Sequence, residues 1–366
     1  MKIMFYIDVL YKGGAERVIS NLANFFSTYK KYNVYLVVDK RVNNEYQIYE
    51  SVNFVSLEKS NKHPFSSNIS RIYLINKLIK KYNIDILVSF KPGPVFRSII
   101  ASKFTKAKTI ISIRNDPRAE YGSVAAKILS RILFKKTDGI VFQTKEASNF
   151  FKKNIVSKSI IIKNPVSDVF FQTQRKPPFH DIVSFGRISS AKNHILLVNA
   201  FAIISKTFPK EKLYIYGNID DKRTFDSLRN AIVSLKLENR IFLKEHSTCV
   251  NDLLSSAKLF VLSSNFEGMP NALMEAMAVG VPCISTDCPV GGPRELLGNS
   301  EYGLLTKVSD ENDLAIKMKY LLSSSSRINF YGDLAKQRSK VFSSDKIYEQ
   351  WDAYFQKVYE TKRGRK

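Results

Sequence analysis
Ser263-Ser264-Asn265-Phe266-Glu267-Gly268-Met269-Pro270-Asn271-Ala272-Leu273-Met274-Glu275 is the stretch on which the reading of this chain turns. It leaves an apolar run, Leu259–Ser263, and enters a helical pattern, Asn271–Ala278. A strand that feeds a helix through a short loop is the repeating unit of a parallel α/β sheet. Gly268 frees the backbone of that loop, and Pro270 suits the first turn of a helix. Amides near Met269 and Asn271 are then expected beyond the strand end, where open α/β sheets bind ligands. Glu267 precedes the helix and Glu275 lies about one turn inside it. A carboxylate such as Glu275 can accept from both vicinal hydroxyls of a ribose. The plainer reading is a helix-start acid with an exposed glutamate.

The same rhythm runs outward in both directions. Towards the N-terminus, strands are expected at Lys2–Val9, Asn33–Val38, Val52–Leu57, Asp85–Phe90, Thr109–Ile113, Gly139–Gln143 and Ser159–Ile162. Helical patterns such as Glu16–Phe26, Ile69–Lys81 and Val124–Lys135 separate them. A second series holds strands at Asp181–Phe185, Leu213–Tyr216, Arg240–Leu243, Leu259–Ser263 and Pro282–Thr286, with helices at Asn193–Phe208, Lys222–Leu235, Asn271–Ala278 and Glu311–Leu322. Continuous apolar strands alternating with helices predict parallel sheets covered on both faces. Two such series predict an α/β chain of two doubly wound domains. The boundaries are set at 1–172 for the first domain and 179–344 for the second, since Arg175-Lys176-Pro177-Pro178 breaks both periodicities. Residues 345–366 form a last helix, with an apolar stripe of Ile347, Trp351, Tyr354, Phe355 and Val358, and a basic tail. Ser323–Ser326 reads as a short serine loop.

Four more loops carry candidate chemistry. Gly13-Gly14-Ala15-Glu16-Arg17 follows the first strand, and its helix start suits a phosphate or sugar oxygen. It lacks the dinucleotide spacing and the P-loop lysine, so a structural tight turn is an equal reading. Ser112-Ile113-Arg114-Asn115-Asp116-Pro117-Arg118 ends a strand with two arginines and an Asn-Asp pair, fit for a polar, anionic molecule. Gly186-Arg187 with Lys192-Asn193 puts two cations around a helix start, which suits a diphosphate. Gly291-Gly292-Pro293-Arg294-Glu295 is expected to wall the same pocket as Glu267. Asp220-Asp221 could suggest a metal carboxylate pair, but it sits in a loop after Gly217-Asn218. His194 and His246 are read as structural.

Composition narrows the class. The 366 residues are 44% hydrophobic and 25% charged, ordinary for a folded protein, and exclude a disordered, collagen-like or coiled-coil chain. Cys249, Cys283 and Cys288 make no disulfide framework and no zinc spacing, so reduced thiols of a cytosolic protein are expected. The longest stretch without a charged residue is Asn193–Ser205, too short to span a bilayer. Asp8 comes too early for a signal-peptide core, and a cytoplasmic location is expected. The formal charge of +24 calls for an anionic partner. Residues 1–175 hold 30 Lys and Arg against 12 Asp and Glu, or +18; residues 176–366 hold 27 against 21, or +6.

These motifs together resemble a family. Glu267 and Glu275, with seven residues between them, resemble the paired glutamates of the retaining glycosyltransferases of family 4, the "glycosyl transferases group 1" type, whose fold is GT-B. The Gly13-Gly14, Gly186-Arg187, Lys192-Asn193, Phe266–Glu275 and Gly291–Glu295 loops stand in that family's order over nearly the whole chain. The resemblance implies two Rossmann-like domains facing across a cleft, with the last helix crossing back to the first domain. It implies a UDP-sugar donor bound by the second domain. Glu267, Arg187 and Lys192 would be catalytic, the two cations holding the diphosphate. Gly13, Gly14, Gly268, Met269, Asn271 and Glu275 would bind the donor. Arg114, Asn115, Asp116, Arg118, Glu16 and Arg17 would bind the acceptor. No metal and no further cofactor are implied, and a donor phosphate oxygen would take the acceptor's proton. Many relatives place a histidine near Arg114; an arginine cannot act as a base at neutral pH.

Charge adds a partner. An acceptor half of +18 calls for an anionic partner, and the resemblance implies which: related bacterial enzymes extend polyprenyl-diphosphate-linked or other lipid-linked glycans, which are anionic and membrane-borne, so a place at the inner face of the plasma membrane is expected. Ile69–Lys81, Phe96–Lys108 and Ala125–Lys136 mix apolar and basic residues at helical spacing, which fits a membrane-surface face; ordinary helices packed on the sheet with solvated lysines are an equal reading for each. The expected work is bacterial capsule, O-antigen or exopolysaccharide assembly. A basic nucleic-acid-binding protein is the other class, although no nucleic-acid motif supports it. Another GT-B enzyme, such as a sugar phosphorylase or epimerase, is a third.

Overall fold
The computed structural model of the chain describes residues 1–11, 13–58 and 64–361. The basic tail from Lys362 to Lys366 lies outside the described residues. Contacts divide the chain into two units: Met1–Asn164 with Asp345–Lys366, and Pro165–Ser344.

The first unit is built on seven parallel strands: β1 (Lys2–Ile7), β2 (Asn33–Val38), β3 (Asn53–Ser56), β4 (Ile86–Phe90), β5 (Lys108–Ile113), β6 (Gly139–Phe142) and β7 (Ser159–Ile161), in the order β3-β2-β1-β4-β5-β6-β7. Between them run α1 (Gly14–Thr28), α2 (Pro64–Tyr82), α3 (Pro92–Ser102), α4 (Pro117–Tyr121), α5 (Val124–Leu133), α6 (Lys145–Asn149) and α7 (Lys153–Val156). β1 and β4 are apolar almost without break, and β1, β4 and β5 are all buried, as strands covered on both faces must be.

Six parallel strands make the second sheet: β8 (His180–Phe185), β9 (Leu213–Tyr216), β10 (Ile241–Lys244), β11 (Ala257–Leu262), β12 (Cys283–Thr286) and β13 (Leu304–Thr306), ordered β10-β9-β8-β11-β12-β13. Its helices are α8 (Asp168–Gln172), α9 (His194–Ser205), α10 (Lys222–Ser234), α11 (Val250–Ser256), α12 (Asn271–Val279), α13 (Gly292–Leu297), α14 (Glu311–Leu322) and α15 (Ser325–Ser339). Each sheet thus reverses its strand order once, at β1/β4 and at β8/β11. The loops on either side of that reversal diverge and leave a crevice at the carboxyl ends.

The structure differs from the sequence expectations at three places and adds a strand they did not contain. The change of unit falls at Asn164–Pro165, earlier than Gln172–Phe179, because α8 packs Phe170 into the core of the second unit. The serine loop is a helix start: the Ser324 hydroxyl accepts from the Arg327 amide at 3.4 Å and caps α15. Its polar composition hides that helix, which buries only Ile328, Gly332, Ala335 and Ser339. The helical pattern Phe96–Lys108 breaks at Ser102, and Lys108 belongs to β5. Arg97 in that stretch turns inward, donating to the Tyr6 hydroxyl at 2.8 Å and to Asp39 at 2.6 Å. Finally, β13 has only three residues, below the length at which strand periodicity can be read.

The last helix, α16 (Ser344–Glu360), packs Ile347, Trp351, Tyr354, Phe355 and Val358 into the core beneath β1 and β4 of the first unit. Trp351 lies against Phe355 and Phe90, with ring centroids 5.4 and 6.3 Å away. The Tyr354 hydroxyl accepts from the Ile140 amide at 2.9 Å and donates to the Lys158 carbonyl at 2.8 Å. It takes the space a side chain on Gly139 would need, since a Cβ there would meet the Tyr354 oxygen at 2.6 Å.

Candidate functional site
The β8/β11 reversal in the second unit brings two of the candidate loops together. Lys192, in the loop after β8, places its ammonium 2.5 Å from Oε1 of Glu267, in the loop after β11. The Ser264 hydroxyl donates to the same oxygen at 2.7 Å. Ser263 donates to the Lys192 carbonyl, and the Asn265 amide donates to the Ala191 carbonyl at 2.8 Å. Side chains finish the seam: Asn193 donates to Asn265 at 2.9 Å, and Asn265 donates to the Ser190 carbonyl at 2.9 Å. Six polar contacts fix one ammonium and one carboxylate beyond the strand ends. Sequence patterns supplied Lys192 and Glu267 as functional candidates; the parts played by Ser264, Asn193 and Asn265 emerge only from the fold.

The third wall comes from the loop after β12. Gly292 starts α13 against the Glu267 loop so closely that a Cβ would lie 1.8 Å from the Gly268 carbonyl oxygen. Gly291 has φ +69°, and the buried Val290 has φ +77°, a left-handed conformation that strains a β-branched residue. Cys288, buried beside Glu267, has its thiol pushed up to about 12 by burial and then by that carboxylate. It is a poor nucleophile there.

From the same crevice α12 begins at Asn271, with Pro270 as its cap residue rather than inside the first turn. Glu275 is buried on that helix, five residues in, and Met269 is buried where the loop meets it. Arg187 goes elsewhere. Its guanidinium donates to both carboxylate oxygens of Asp220, at 3.0 and 3.1 Å, in an exposed pair after β9. The two cations thus share a loop but reach different neighbours. Asp221, the other half of the acidic pair, caps α10 through the Arg223 and Thr224 amides. Among the described residues no cluster of three or more His, Cys, Asp or Glu is arranged to hold a metal ion. His194 is buried at the start of α9, and burial, then Lys192, lowers its pKa to about 3, so it stays neutral.

The first unit repeats the arrangement at its own reversal. Lys91, after β4, sets its ammonium 2.5 Å from Glu16 of α1 and 3.0 Å from Asp8, after β1. Burial works against that ammonium, but Glu16 and then Asp8 outweigh it and hold its pKa above the usual lysine value. The backbone of Lys91 has φ +68°. Gly13 admits the Glu16 carboxylate: a Cβ there would lie 2.4 Å from Oε2. Gly14 opens α1, and the Arg17 amide donates to the Gly13 carbonyl at 3.0 Å. Lys91 and Asp8 carry no motif, and each lies far in sequence from what it meets.

Arg114 is part-buried over the Phe90 ring, 5.1 Å from its centroid, and donates to Asn164 and to Ser112. Gln143 donates to the same Asn164 oxygen at 2.7 Å. Burial lowers the Arg114 pKa to about 9, so it is still a cation at neutral pH. Asp116 caps α4 by accepting from the Arg118 amide at 2.8 Å, and Arg118 is exposed. Asn115 is half-buried beside them. Glu120, one turn on, has its carboxyl pushed up to about 7 by burial, with Lys91 opposing the shift and Asp116 adding to it.

Residues 167–340 match the family model described as glycosyl transferases group 1, and residues 9–144 match the one described as glycosyl transferase 4-like. The chain is 29% identical over 365 residues, covering 94% of itself and 97% of its relative, to the N-acetylgalactosamine-N,N'-diacetylbacillosaminyl-diphospho-undecaprenol 4-alpha-N-acetylgalactosaminyltransferase of Campylobacter jejuni. Its fold is similar to a crystal structure of a glycosyltransferase from Rickettsia africae, with TM-score 0.83 at 18% identity over 99% of both chains. It is likewise similar to Anabaena HepE in complex with UDP, with TM-score 0.80 at 16% identity over 98% of this chain and 100% of the other.

Proposed function
The chain belongs to the family 4, group 1 type of GT-B glycosyltransferases, and from that premise we propose a retaining enzyme that moves a hexose or N-acetylhexosamine from a UDP-sugar to a lipid-linked or polysaccharide glycan. The observation that carries the donor reading is the Lys192–Glu267 pair fixed at the β8/β11 reversal, with buried Glu275 on the helix that starts there. In this reading Lys192 lies against the donor diphosphate and stabilises the charge that grows on the leaving nucleotide. Glu267 holds that ammonium in place and faces the sugar with the amides of Gly268, Met269 and Asn271. Glu275 accepts from the ribose hydroxyls. Arg187 joins by exchanging Asp220 for phosphate, a small cost because exposed pairs are worth about 0–1 kcal/mol.

The first unit supplies the acceptor side. Gly13 and Gly14, at a helix start fit for an anionic oxygen, are its donor-binding residues in this proposal. Glu16 and Arg17 of α1, with the Arg114–Arg118 loop, meet the acceptor. Arg114, a cation tethered to Asn164, serves as an electrostatic contact and not as a base. Metal-independent transfer is part of the proposal, the two cations taking a metal's place. The Campylobacter relative's name specifies a diphospho-undecaprenol acceptor and an alpha linkage, and the Anabaena structure holds UDP. Both support an anionic lipid-linked acceptor and a UDP-sugar donor here. Among the described residues no helix is long and apolar enough to cross a membrane. We place the enzyme as a peripheral protein at the inner face of the membrane that carries its acceptor. With a glycosyltransferase assigned, the charge needs no nucleic-acid partner.

Lys192→Ala and Glu275→Ala test the reading. Each is expected to lower turnover by about 10²-fold or more, the range for removing a preorganised charge contact. Circular dichroism should show the fold retained. Near-normal turnover in both variants contradicts the assignment.

A further inference from the structure
Three helices of the first unit, read alike in the sequence, differ in what they show to solvent. In α2, Ile75 and Ile79 are buried while Ile69 and Tyr73 near its start are exposed, and in α3 Val95 and Ile99 are buried while Ile100 is exposed, so each keeps an apolar stripe on the sheet. An ordinary surface helix behaves this way, turning its apolar stripe to the sheet. α5 does the reverse. Val124, Ile128 and Ile132 form an i, i+4, i+8 stripe that is 76%, 52% and 52% exposed, with Leu129 beside it at 39%. Its buried residues are Ser130 and Leu133. Lys127 and Arg131 flank the stripe, and Lys135 and Lys136 follow in the next turn, all exposed.

Charge says what covers this stripe. Between Glu58 and Asp138 the sequence holds three acids, Asp85, Asp116 and Glu120, and none is on α2, α3 or α5. Each acid is engaged: Asp85 accepts from the Lys2 amide, Asp116 caps α4, and Glu120 is half-buried towards Lys91. α3 packs against both α2 and α5, and α3 is followed by exposed Phe104 between Lys103 and Lys106. An apolar stripe set among cations, without acids, is complementary to anionic lipid headgroups over acyl chains.

We propose that α5 is the bilayer-inserting element of this enzyme, with Val124, Ile128, Leu129 and Ile132 below the headgroups and Lys127, Arg131, Lys135 and Lys136 upon anionic ones. This deepens the lipid-linked acceptor reading and rests on it. α5 begins a few residues after the Arg114–Arg118 loop, so insertion of α5 would tether that candidate acceptor loop to the membrane surface.

Flotation with phosphatidylcholine vesicles, with and without phosphatidylglycerol, tests this on the full chain. Wild type should float with the anionic vesicles. The Ile128→Asp/Ile132→Asp double variant should lose about ten-fold or more in binding at unchanged melting temperature, while Ile69→Asp on α2 stays within about two-fold. The α5 variant should still glycosylate a water-soluble short-chain acceptor as well as wild type and lose transfer to a vesicle-embedded one. The proposal is overturned if wild type ignores anionic vesicles, if the α5 variant floats like wild type, or if Ile69→Asp abolishes flotation instead. It is equally overturned if sedimentation shows a dimer that the α5 variant breaks, which makes the stripe a face for a second copy. Flotation as expected, without sugar transfer to any acceptor, sinks the substrate reading and leaves α5 as a lipid-binding helix. Transfer to the soluble acceptor without vesicle binding sinks only the α5 proposal.

Discussion

Lys192 and Lys91 occupy equivalent places in two sheets, each after a strand at the order reversal and each paired to a glutamate at 2.5 Å. A crevice at the carboxyl ends is low in competing solvent, so a fixed ammonium there acts more strongly than a surface lysine. Around Lys91 the residue with a pH consequence is Glu120. Its folded pKa of about 7 lies above the free carboxyl's 4.5, so the folded chain keeps a proton that the unfolded chain releases. Its contribution is therefore complete below about pH 4.5 and is lost as pH rises to about 7. Glu120→Gln should raise the melting temperature relative to wild type more at pH 8 than at pH 5; an equal gain at both refutes the shift. The site was legible at this scale only where residues stand close in sequence. Glu267 and Glu275 share one loop and helix, and Arg187 and Lys192 share another. Lys91 meets Glu16 and Asp8 across more than 70 residues, and only strand order could bring them together.

Among elements, the loops show how tightly the site is built. Gly292 approaches the Gly268 carbonyl, which is backbone and cannot step aside. Gly292→Ala must separate two loops and is expected to cost about 1–3 kcal/mol, with a raised donor KM. Gly13 approaches the end of the Glu16 side chain, which can swing away. Gly13→Ala should therefore cost less than half as much stability while breaking the Lys91–Glu16 pair. Urea unfolding of both variants checks the order, and equal costs contradict it. Most strands and long helices were legible because their apolar periodicity is unbroken: β2 and α14 match expectation to the residue. Elements that bury little were not. α15 is held by a cap and four inward residues, and β13 has three residues, two of them buried.

At the scale of the molecule, each unit closes around its own sheet, yet the first is completed by the chain's last helix. Trp351 on α16 is fully buried in that core, so Trp351→Ala should cost about 3–5 kcal/mol. Because residues 345–366 belong to the first unit, calorimetry should show the loss in its transition and spare that of Pro165–Ser344. A single transition shifted as a whole counts against independent units. The charge was legible from composition, +18 in residues 1–175 against +6 beyond; its placement was not. Periodicity says that α5 has two faces, and only packing decides which one meets the sheet.

Retaining sugar transfer from a UDP-sugar to a lipid-linked acceptor is tested most directly by incubating the chain with a panel of nucleotide sugars and a polyprenyl-diphosphate-linked glycan, and reading the anomeric configuration of the product by NMR. UDP should be released with one UDP-sugar and a new glycosidic bond of the donor's own configuration should form, lost in Lys192→Ala. No transfer from any UDP-sugar, or a product of inverted configuration, contradicts it.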